Sequence, residues 1–340
     1  MSVTQLSCCA RPSGASLFAT YLSGMIAVVH HPDYVTEAPA RSTYRWGKNG
    51  AIRDLLQAEG DRVGWHEPVA MPRAWLEAVH DPDYVAEVLA AQVPREKERR
   101  TGFPITAIVA RRAAMVPGGT YLAALLALEH GFAANTAGGS HHALADTGAG
   151  YCVFNDLAIA AHRLIEEGRV ERVAIVDCDV HQGDGTAALT AGHPQITTYS
   201  IHAAKNFPAR KAQSTLDVAL ADGIGDEDYL DTLDTTLSGF LDAHRPDLIL
   251  YQGGVDPFVD DRLGRLALSE DGLVRREQLI ARLSAARALP VACTVGGGYG
   301  DDVMAIAARH VRVIMTLGGL LTQPPVAIAE QERGAGVVDA

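Results

Sequence analysis

The segment DCDVHQGDG at 177–185 places acidic and imidazole side chains directly after the apolar run RVAIV. Asp179 and His181 are two positions apart, so on an extended strand their side chains point in the same direction. A carboxylate and an imidazole in this arrangement are suitable ligands for a metal ion. Asp256 follows another apolar run and supplies a third ligand, which leaves a fourth position open, as in a catalytic zinc site. Such an ion polarises a carbonyl group and lowers the pKa of a bound water towards about 7.

Two adjacent histidines, His141 and His142, follow a separate strand-like run and supply groups for proton transfer. Asp177 and Asp184 remain beyond the metal ligands, and a His–Asp pair fixes the tautomer of an imidazole and raises its basicity. We therefore expect two His–Asp pairs. One acts as general base and then as general acid, and the other stays charged as electrostatic support. A lone Asp-x-His is more often a strand-end cap, but these further residues favour a reactive site.

The glycine-rich segment GGGYG at 296–300 presents Tyr299 after another apolar run. A phenol in this position can donate a hydrogen bond to a developing oxyanion, although a packed tyrosine in a glycine turn explains the segment equally well. The segment lacks the G-x-G-x-x-G order of a dinucleotide site. The sequence also has no G-x-S-x-G nucleophile motif, so we expect water to be the attacking group.

Apolar, β-branched runs precede each of these segments, and their continuous character predicts parallel strands that are covered on both faces. The predicted strands are 25–30, 131–136, 172–179, 196–201, 247–254, 290–298 and 311–317. Helical periodicity predicts helices near 46–58, 82–92, 105–129, 155–167, 227–244, 273–288 and 301–310. Because ligands bind at the carboxyl ends of parallel strands, the reactive residues should meet at one edge of an α/β sheet.

The helical pattern at 105–129 contains Pro117, Gly118 and Gly119, which predict a break or kink. No linker divides the chain of 340 residues, so we predict one catalytic domain over 25–325. Residues 1–24 have the character of an N-terminal extension, or of a start assigned upstream of the natural one, and 326–340 that of a C-terminal tail.

The composition excludes several classes of partner. A net charge of −12 argues against a nucleic-acid surface, and no run reaches the roughly 18 apolar residues of a membrane helix. The five cysteines show no CxxC spacing, which fits reduced thiols and a cytoplasmic protein. A homo-oligomer stays open.

The segments GGSHH, GAGYCVFND, DCDVHQGDGT, YSIH, GGVD and GGGYG, in this order, resemble the zinc-dependent histone deacetylase family. The resemblance extends over about residues 25–320, and the segments DEDYLDTL and DRLGRLALSEDGLVRREQLI are similar to its class IV-like branch. It implies an α/β fold of the arginase/deacetylase type, with three layers, a central, mostly parallel sheet and helices on both faces.

The resemblance also implies a role for each matching position. The zinc ligands match Asp179, His181 and Asp256. The catalytic positions match His141, His142, Asp177, Asp184 and Tyr299. Here His142 is the general base, oriented by Asp184, while Asp177 holds His141. Substrate-binding positions match Gly150, Tyr151, Leu263, Gly297 and Gly298, with Tyr151 as an aromatic wall. A structural potassium ion would be held by Asp177, Asp179, His181, Ser200 and Ile201.

Residues and resemblance together predict a metal-dependent amidohydrolase that removes an acetyl or longer acyl group from an amine, with acyl-lysine in proteins as the substrate. One alternative is a deacetylase of acetylpolyamines or other small acyl-amides. A second is an arginase-like ureohydrolase with two manganese ions, which requires further aspartate ligands. A third is a binding module without catalysis. Zinc is the expected metal, with ferrous iron as the alternative, and no nucleic-acid or membrane partner is expected.

Overall fold

The computed structural model of the protein describes residues 24–37, 44 and 46–322. The predicted N-terminal extension, apart from Gly24, and the predicted C-terminal tail lie outside these residues. Both therefore stay predictions.

Within the described residues, eight strands form one sheet. They are β1 (Ile26–Val29), β2 (Val63–His66), β3 (Phe132–Asn135), β4 (Val173–Asp177), β5 (Ile196–Ala203), β6 (Leu216–Leu220), β7 (Leu248–Gln252) and β8 (Val291–Thr294). Their order across the sheet is β2-β1-β3-β8-β7-β4-β5-β6. Every one of these neighbouring pairs is parallel, which confirms the predicted sheet.

In the part of the chain that the structure describes, ten helices connect and cover the strands. They are α1 (Lys48–Gln57), α2 (Arg73–Glu77), α3 (Pro82–Leu89), α4 (Arg95–Thr101), α5 (Ala107–His130), α6 (Asp156–Glu166), α7 (Asp184–Leu189), α8 (Asp226–His244), α9 (Glu270–Ala285) and α10 (Val303–Leu321). Two short 3-10 turns lie at Pro32–Tyr34 and Gly60–Arg62. The predicted helices are confirmed, whereas the sequence pattern missed the short α2, α4 and α7.

Alternate residues of the central strands face two separate hydrophobic clusters. In β4, Ala174 and Val176 pack in a cluster with side chains of α1, α8, α9 and α10. Val173 and Ile175 pack on the opposite face, in a cluster with side chains of α3, α5 and α6. Strands with two buried faces require apolar residues at every position, which explains the continuous runs in the sequence. The predicted three-layer arrangement is confirmed.

The prediction of a strand at 311–317 is wrong, because these residues form the second half of α10. Its buried positions include Val311, Ile314 and Leu317, which follow helical spacing. A short apolar run does not distinguish a buried helix from a buried strand. Strands β2 and β6 were missed because they are the two edges of the sheet and only partly buried, so they lack the apolar signal.

Within the described residues, α10 is the one helix whose length and composition would allow it to cross a membrane. Its side chains pack in the same cluster as those of α1 and α9. Arg309 and Arg312 on this helix form ion pairs with Glu270 at the start of α9. Packing of this kind is typical of a core helix in an α/β fold.

Helix α5 continues through Pro117, so the predicted break is wrong, while the alternative of a kink stays a prediction. The glycine that follows serves close packing. A Cβ atom at Gly118 would overlap the carbonyl oxygen of Val69, and the chain there is fixed by a 2.9 Å hydrogen bond from Met71 N to Ala114 O. Packing against neighbouring layers therefore maintains the helix despite the hydrogen bond that proline removes.

We predict that Gly118→Ala lowers the free energy of unfolding by about 1–3 kcal/mol, because the added methyl group has no space and the backbone it meets must move. Urea denaturation measures the change. Gly319→Ala in α10 is the matched control, since a Cβ there meets nothing within 4 Å. The control should be neutral or stabilising by up to about 1 kcal/mol. Equal effects of the two substitutions would contradict this explanation.

Candidate active site

The carboxyl ends of four adjacent strands bring the reactive segments together. Strands β3, β8, β7 and β4 are consecutive in the sheet. They are followed in the sequence by GGSHH, GGGYG, GGVD and DVHQGDG respectively. The structure therefore confirms that these segments meet at one edge of the sheet, as predicted.

Asp179, His181 and Asp256 each offer one ligand atom, and these atoms lie within 4.8 Å of one another. His181 Nδ1 is 3.0 Å from Asp179 Oδ1 and 3.1 Å from Asp256 Oδ2. All three residues are buried, and two carboxylates buried side by side are costly without a cation between them. Two oxygen ligands and one nitrogen with an open position suit zinc. The described residues contain no second group of this kind.

Backbone and amide donors fix the two ligand carboxylates. Asp179 Oδ2 accepts hydrogen bonds from Gly297 N at 2.8 Å and from Gln252 Nε2 at 2.9 Å. Asp256 Oδ1 accepts one from Val180 N at 2.9 Å. Sequence reasoning missed Gln252, although an amide at the end of the apolar run LILYQ was a signal.

Both predicted histidine–aspartate pairs form. His141 Nδ1 is 2.7 Å from Asp177 Oδ2, and His142 Nδ1 is 2.6 Å from Asp184 Oδ1. The centroids of the two imidazole rings are 4.0 Å apart, so the charge on one ring affects the other.

The two histidines differ in charge at neutral pH. Burial lowers the pKa of His141, but the carboxylates of Asp177 and Asp179 outweigh it and raise that pKa to about 9. Burial, followed by the charge on His141, lowers the pKa of His142 to about 3. His141 is therefore a buried cation, and His142 is a neutral imidazole that can accept a proton.

A cavity of about 450 Å³ opens above this group, with His142, His181 and Tyr299 in its wall. Gly150, Tyr151 and Leu263 also line it, and their predicted contact with a substrate stays a prediction. Asp261 Oδ2 holds the backbone N–H of Tyr299 at 2.6 Å. Desolvation, followed by the charges of Asp179 and Asp256, raises the pKa of the Tyr299 phenol well above its usual range, so it stays a donor.

Tyr151 has an unusual backbone conformation, with a φ of 68°. This left-handed region is uncommon for a residue with a side chain and is typical of constrained sites. Its N–H donates to Thr101 O at 2.8 Å, and its ring is stacked with that of Phe103. The end of α4 therefore holds this wall of the cavity.

Gly297 and Gly298 are not among the residues that line this cavity, and their predicted substrate contact stays a prediction. A Cβ at Gly297 would overlap the carboxylates of Asp256 and Asp179, so only glycine lets the backbone approach the ligands. Gly298 faces inwards, towards Val255 and His310.

Lys48 lies beside the glycine-rich segment and was missed by sequence reasoning. The residue is buried, and its Nζ donates to Gly296 O at 2.7 Å. The same ammonium is 5.9 Å from the ring centroid of Tyr299. Nothing in its own segment, the start of α1, distinguishes it from a surface lysine.

A fully buried ion pair supports the site from behind. Arg276 Nη1 donates to Gly254 O at 2.8 Å and to Cys178 O at 3.1 Å, and Arg276 Nη2 is 2.6 Å from Glu277 Oε1. Cys178 directly precedes Asp179, and Gly254 lies two residues before Asp256. One guanidinium therefore ties the ends of β4 and β7 together.

The loop that carries His141 and His142 is anchored by His80 and Asp156. Asp156 accepts hydrogen bonds from Ser140 N at 2.7 Å and Gly139 N at 3.1 Å. His80 Nδ1 donates to Leu144 O at 2.8 Å, and its Nε2 accepts from Asn155 N at 2.9 Å. This pattern requires neutral His80, and burial lowers its pKa to about 4.

We predict that His80 makes stability depend on pH. The unfolded chain binds a proton at this residue near pH 6.5 and the folded chain only near pH 4, so stability falls as the pH decreases through this window. Urea denaturation at pH 7 and pH 4.5 compares the wild type with His80→Gln, which cannot titrate. The difference in free energy of unfolding between the wild type and the variant should narrow by about 2–3 kcal/mol at the lower pH. A gap that does not change with pH would contradict the assignment.

Solved structures show which class of protein has this fold. The crystal structure of the HDA15 HD domain superimposes with a TM-score of 0.74 and 22% identity, over 90% of this chain and 91% of that one. An acetylpolyamine aminohydrolase from Burkholderia pseudomallei gives a TM-score of 0.71 and 22% identity, over 87% and 99%. The fold is that of the arginase/deacetylase class.

Sequence comparison then identifies the family. The profile of the histone deacetylase domain matches residues 36–315. An uncharacterized protein of Picosynechococcus is 44% identical over 83% of this chain and 95% of its own length. Histone deacetylase 2 of Arabidopsis thaliana is 31% identical over 61% of this chain, and the match spans 54% of that protein. The chain belongs to the histone deacetylase family and is a deacetylase-type hydrolase.

Proposed function

We propose that the protein is a zinc-dependent deacylase that removes an acyl group from the side-chain amine of acyl-lysine. The observation that carries this proposal is the convergence of the Asp–His–Asp group, both His–Asp pairs and Tyr299 around one cavity. Ligands Asp179, His181 and Asp256 would hold the zinc ion, which when bound would polarise the acyl carbonyl and activate water.

His142 is the group that moves the proton. With its Nδ1–H donated to Asp184, the neutral imidazole presents Nε2 to the cavity and takes a proton from the attacking water. The resulting imidazolium is stabilised by Asp184 and returns the proton to the nitrogen of the leaving amine. His141, paired with Asp177 at 2.7 Å, gives electrostatic support beside it.

Tyr299 stabilises the oxygen that becomes negatively charged. Its raised pKa keeps the hydroxyl protonated, so it can donate a hydrogen bond to the developing oxyanion. Gly150 and Tyr151 form the adjoining wall and would hold the acylated chain against the reacting groups.

A structural potassium ion is a further part of the proposal. Asp177 and Ser200 are register partners in neighbouring strands β4 and β5, and both are buried. Their side-chain oxygens support such a site together with backbone oxygens of Asp179, His181 and Ile201. A reducing compartment such as the cytoplasm is also proposed, because Cys152, Cys178 and Cys293 are buried free thiols.

We predict one zinc ion per chain. Elemental analysis after dialysis and reloading should give a stoichiometry of one. Asp256→Asn should lose most of the bound metal, since it removes one of three anionic or imidazole ligands. Circular dichroism should show that the variant remains folded. Two manganese ions per chain would contradict this prediction and favour the ureohydrolase alternative.

We predict that His142→Ala and Tyr299→Phe each lower kcat/KM for an Nε-acetyl-lysine peptide by about 10²–10⁴-fold while the fold survives. Fluorescent detection of the released lysine measures the rate. The matched controls are His193→Ala and Tyr199→Phe, and the Tyr199 hydroxyl pairs with Thr236 on α8. Near-normal turnover by either site variant would refute the proposed roles.

A further inference from the structure

The mouth of the cavity is cationic. Arg100, Lys205 and Arg265 line it, and no aspartate or glutamate is among the described residues that do so. All three cations are exposed, whereas His142 and His181 at the floor are buried. This charge contrasts with the net charge of −12 on the whole chain.

The chain holds these cations close to the reacting groups. Gly150 N donates to the carbonyl of Arg100 at 3.2 Å, so the residue is attached to the cavity wall by its backbone. On the other side, Asn206, the neighbour of Lys205, donates from Nδ2 to Leu263 O at 2.9 Å. Both loops are therefore fixed relative to the cavity.

Two of the three charges are not compensated locally. Arg265 forms a 3.0 Å ion pair with Asp222. Arg100 and Lys205 make no ion pair within the part of the chain that the structure describes. A ligand that brings a carboxylate to the mouth gains attraction from both side chains, whereas a second ammonium group is repelled.

We propose that the mouth selects acyl-amines that carry a carboxylate next to the acylated side chain. This inference rests on the proposed deacylase activity and specifies its substrate class. A free carboxylate on a small acyl-amino acid and an acidic residue in a peptide offer the same chemistry. Acylated polyamines, with their additional ammonium groups, are disfavoured.

Matched substrates test the proposal. Nα-acetyl-Nε-acetyl-lysine with a free carboxylate is compared with its carboxamide, and acetyl-lysine peptides flanked by aspartate with the same peptides flanked by lysine. N-acetylputrescine is the polyamine probe. Exposed charge pairs each change an equilibrium by up to about fivefold. We expect kcat/KM to favour each acidic probe by about fivefold or more, with the ratio declining at high salt. The two pairs distinguish a small acid from an acidic peptide.

Variants of the mouth test which side chains cause the preference for acidic probes. Arg100→Gln and Lys205→Gln should each reduce the preference for the acidic probe, measured as the ratio of its kcat/KM to that of the carboxamide. The double variant Arg100→Glu with Lys205→Glu should reverse this preference, so that the carboxamide becomes the better substrate. Arg99→Gln is the matched control, because Arg99 is exposed on the same helix but does not line the cavity.

The possible outcomes distinguish failure of the proposed selectivity from failure of the proposed deacylase activity. Hydrolysis of neutral and acidic probes at equal rates, or a preference for N-acetylputrescine, would overturn the selectivity and leave the deacylase proposal intact. Loss of the preference in Arg99→Gln as well as in the cavity variants would also overturn it. Failure to hydrolyse any acyl-lysine probe would overturn both.

Discussion

The burial of negative charge at one end of the sheet determines the rest of the site. Asp177, Asp179 and Asp256 are each at most 3% exposed, and carboxylates so placed require cations or donors. His141 supplies one positive charge, and backbone and amide donors supply the hydrogen bonds. The negative charge that remains favours a cation at the position between Asp179, His181 and Asp256. The same arrangement that suits a metal ion keeps His142 neutral, because this imidazole is buried and the charged His141 lies beside it.

Sequence was sufficient for the central architecture because its signals are local. Strands β3, β4, β7 and β8 are continuous apolar runs that end in reactive residues, so both the sheet and the meeting of those residues were predictable. The edge strands β2 and β6 lack that signal. Gln252 gave only a weak signal in the sequence. Lys48, His80 and Arg276 resemble ordinary residues in their segments. Each of these residues has a partner more than 60 residues away in the sequence, so only the tertiary fold reveals its function.

Chemistry and selectivity come from different parts of the molecule. The reacting groups follow the buried strands, where packing on both faces fixes their positions. The mouth is formed by the end of α4 and by the loops around Lys205 and Leu263. Solved structures with this fold include the HDA15 HD domain and an acetylpolyamine aminohydrolase. Exposed loops can change without disturbing the core, so the mouth can vary while the groups beneath it keep their positions.

Arg100 contributes to the site in two independent ways. Its carbonyl oxygen holds the wall through Gly150 N, while its side chain contributes only charge at the mouth. Any residue that keeps the backbone conformation at position 100 offers the same carbonyl oxygen, so the side chain is free to vary. Substrate preference can therefore drift during evolution, or be redesigned in the laboratory, at this position without a cost to the machinery beneath it.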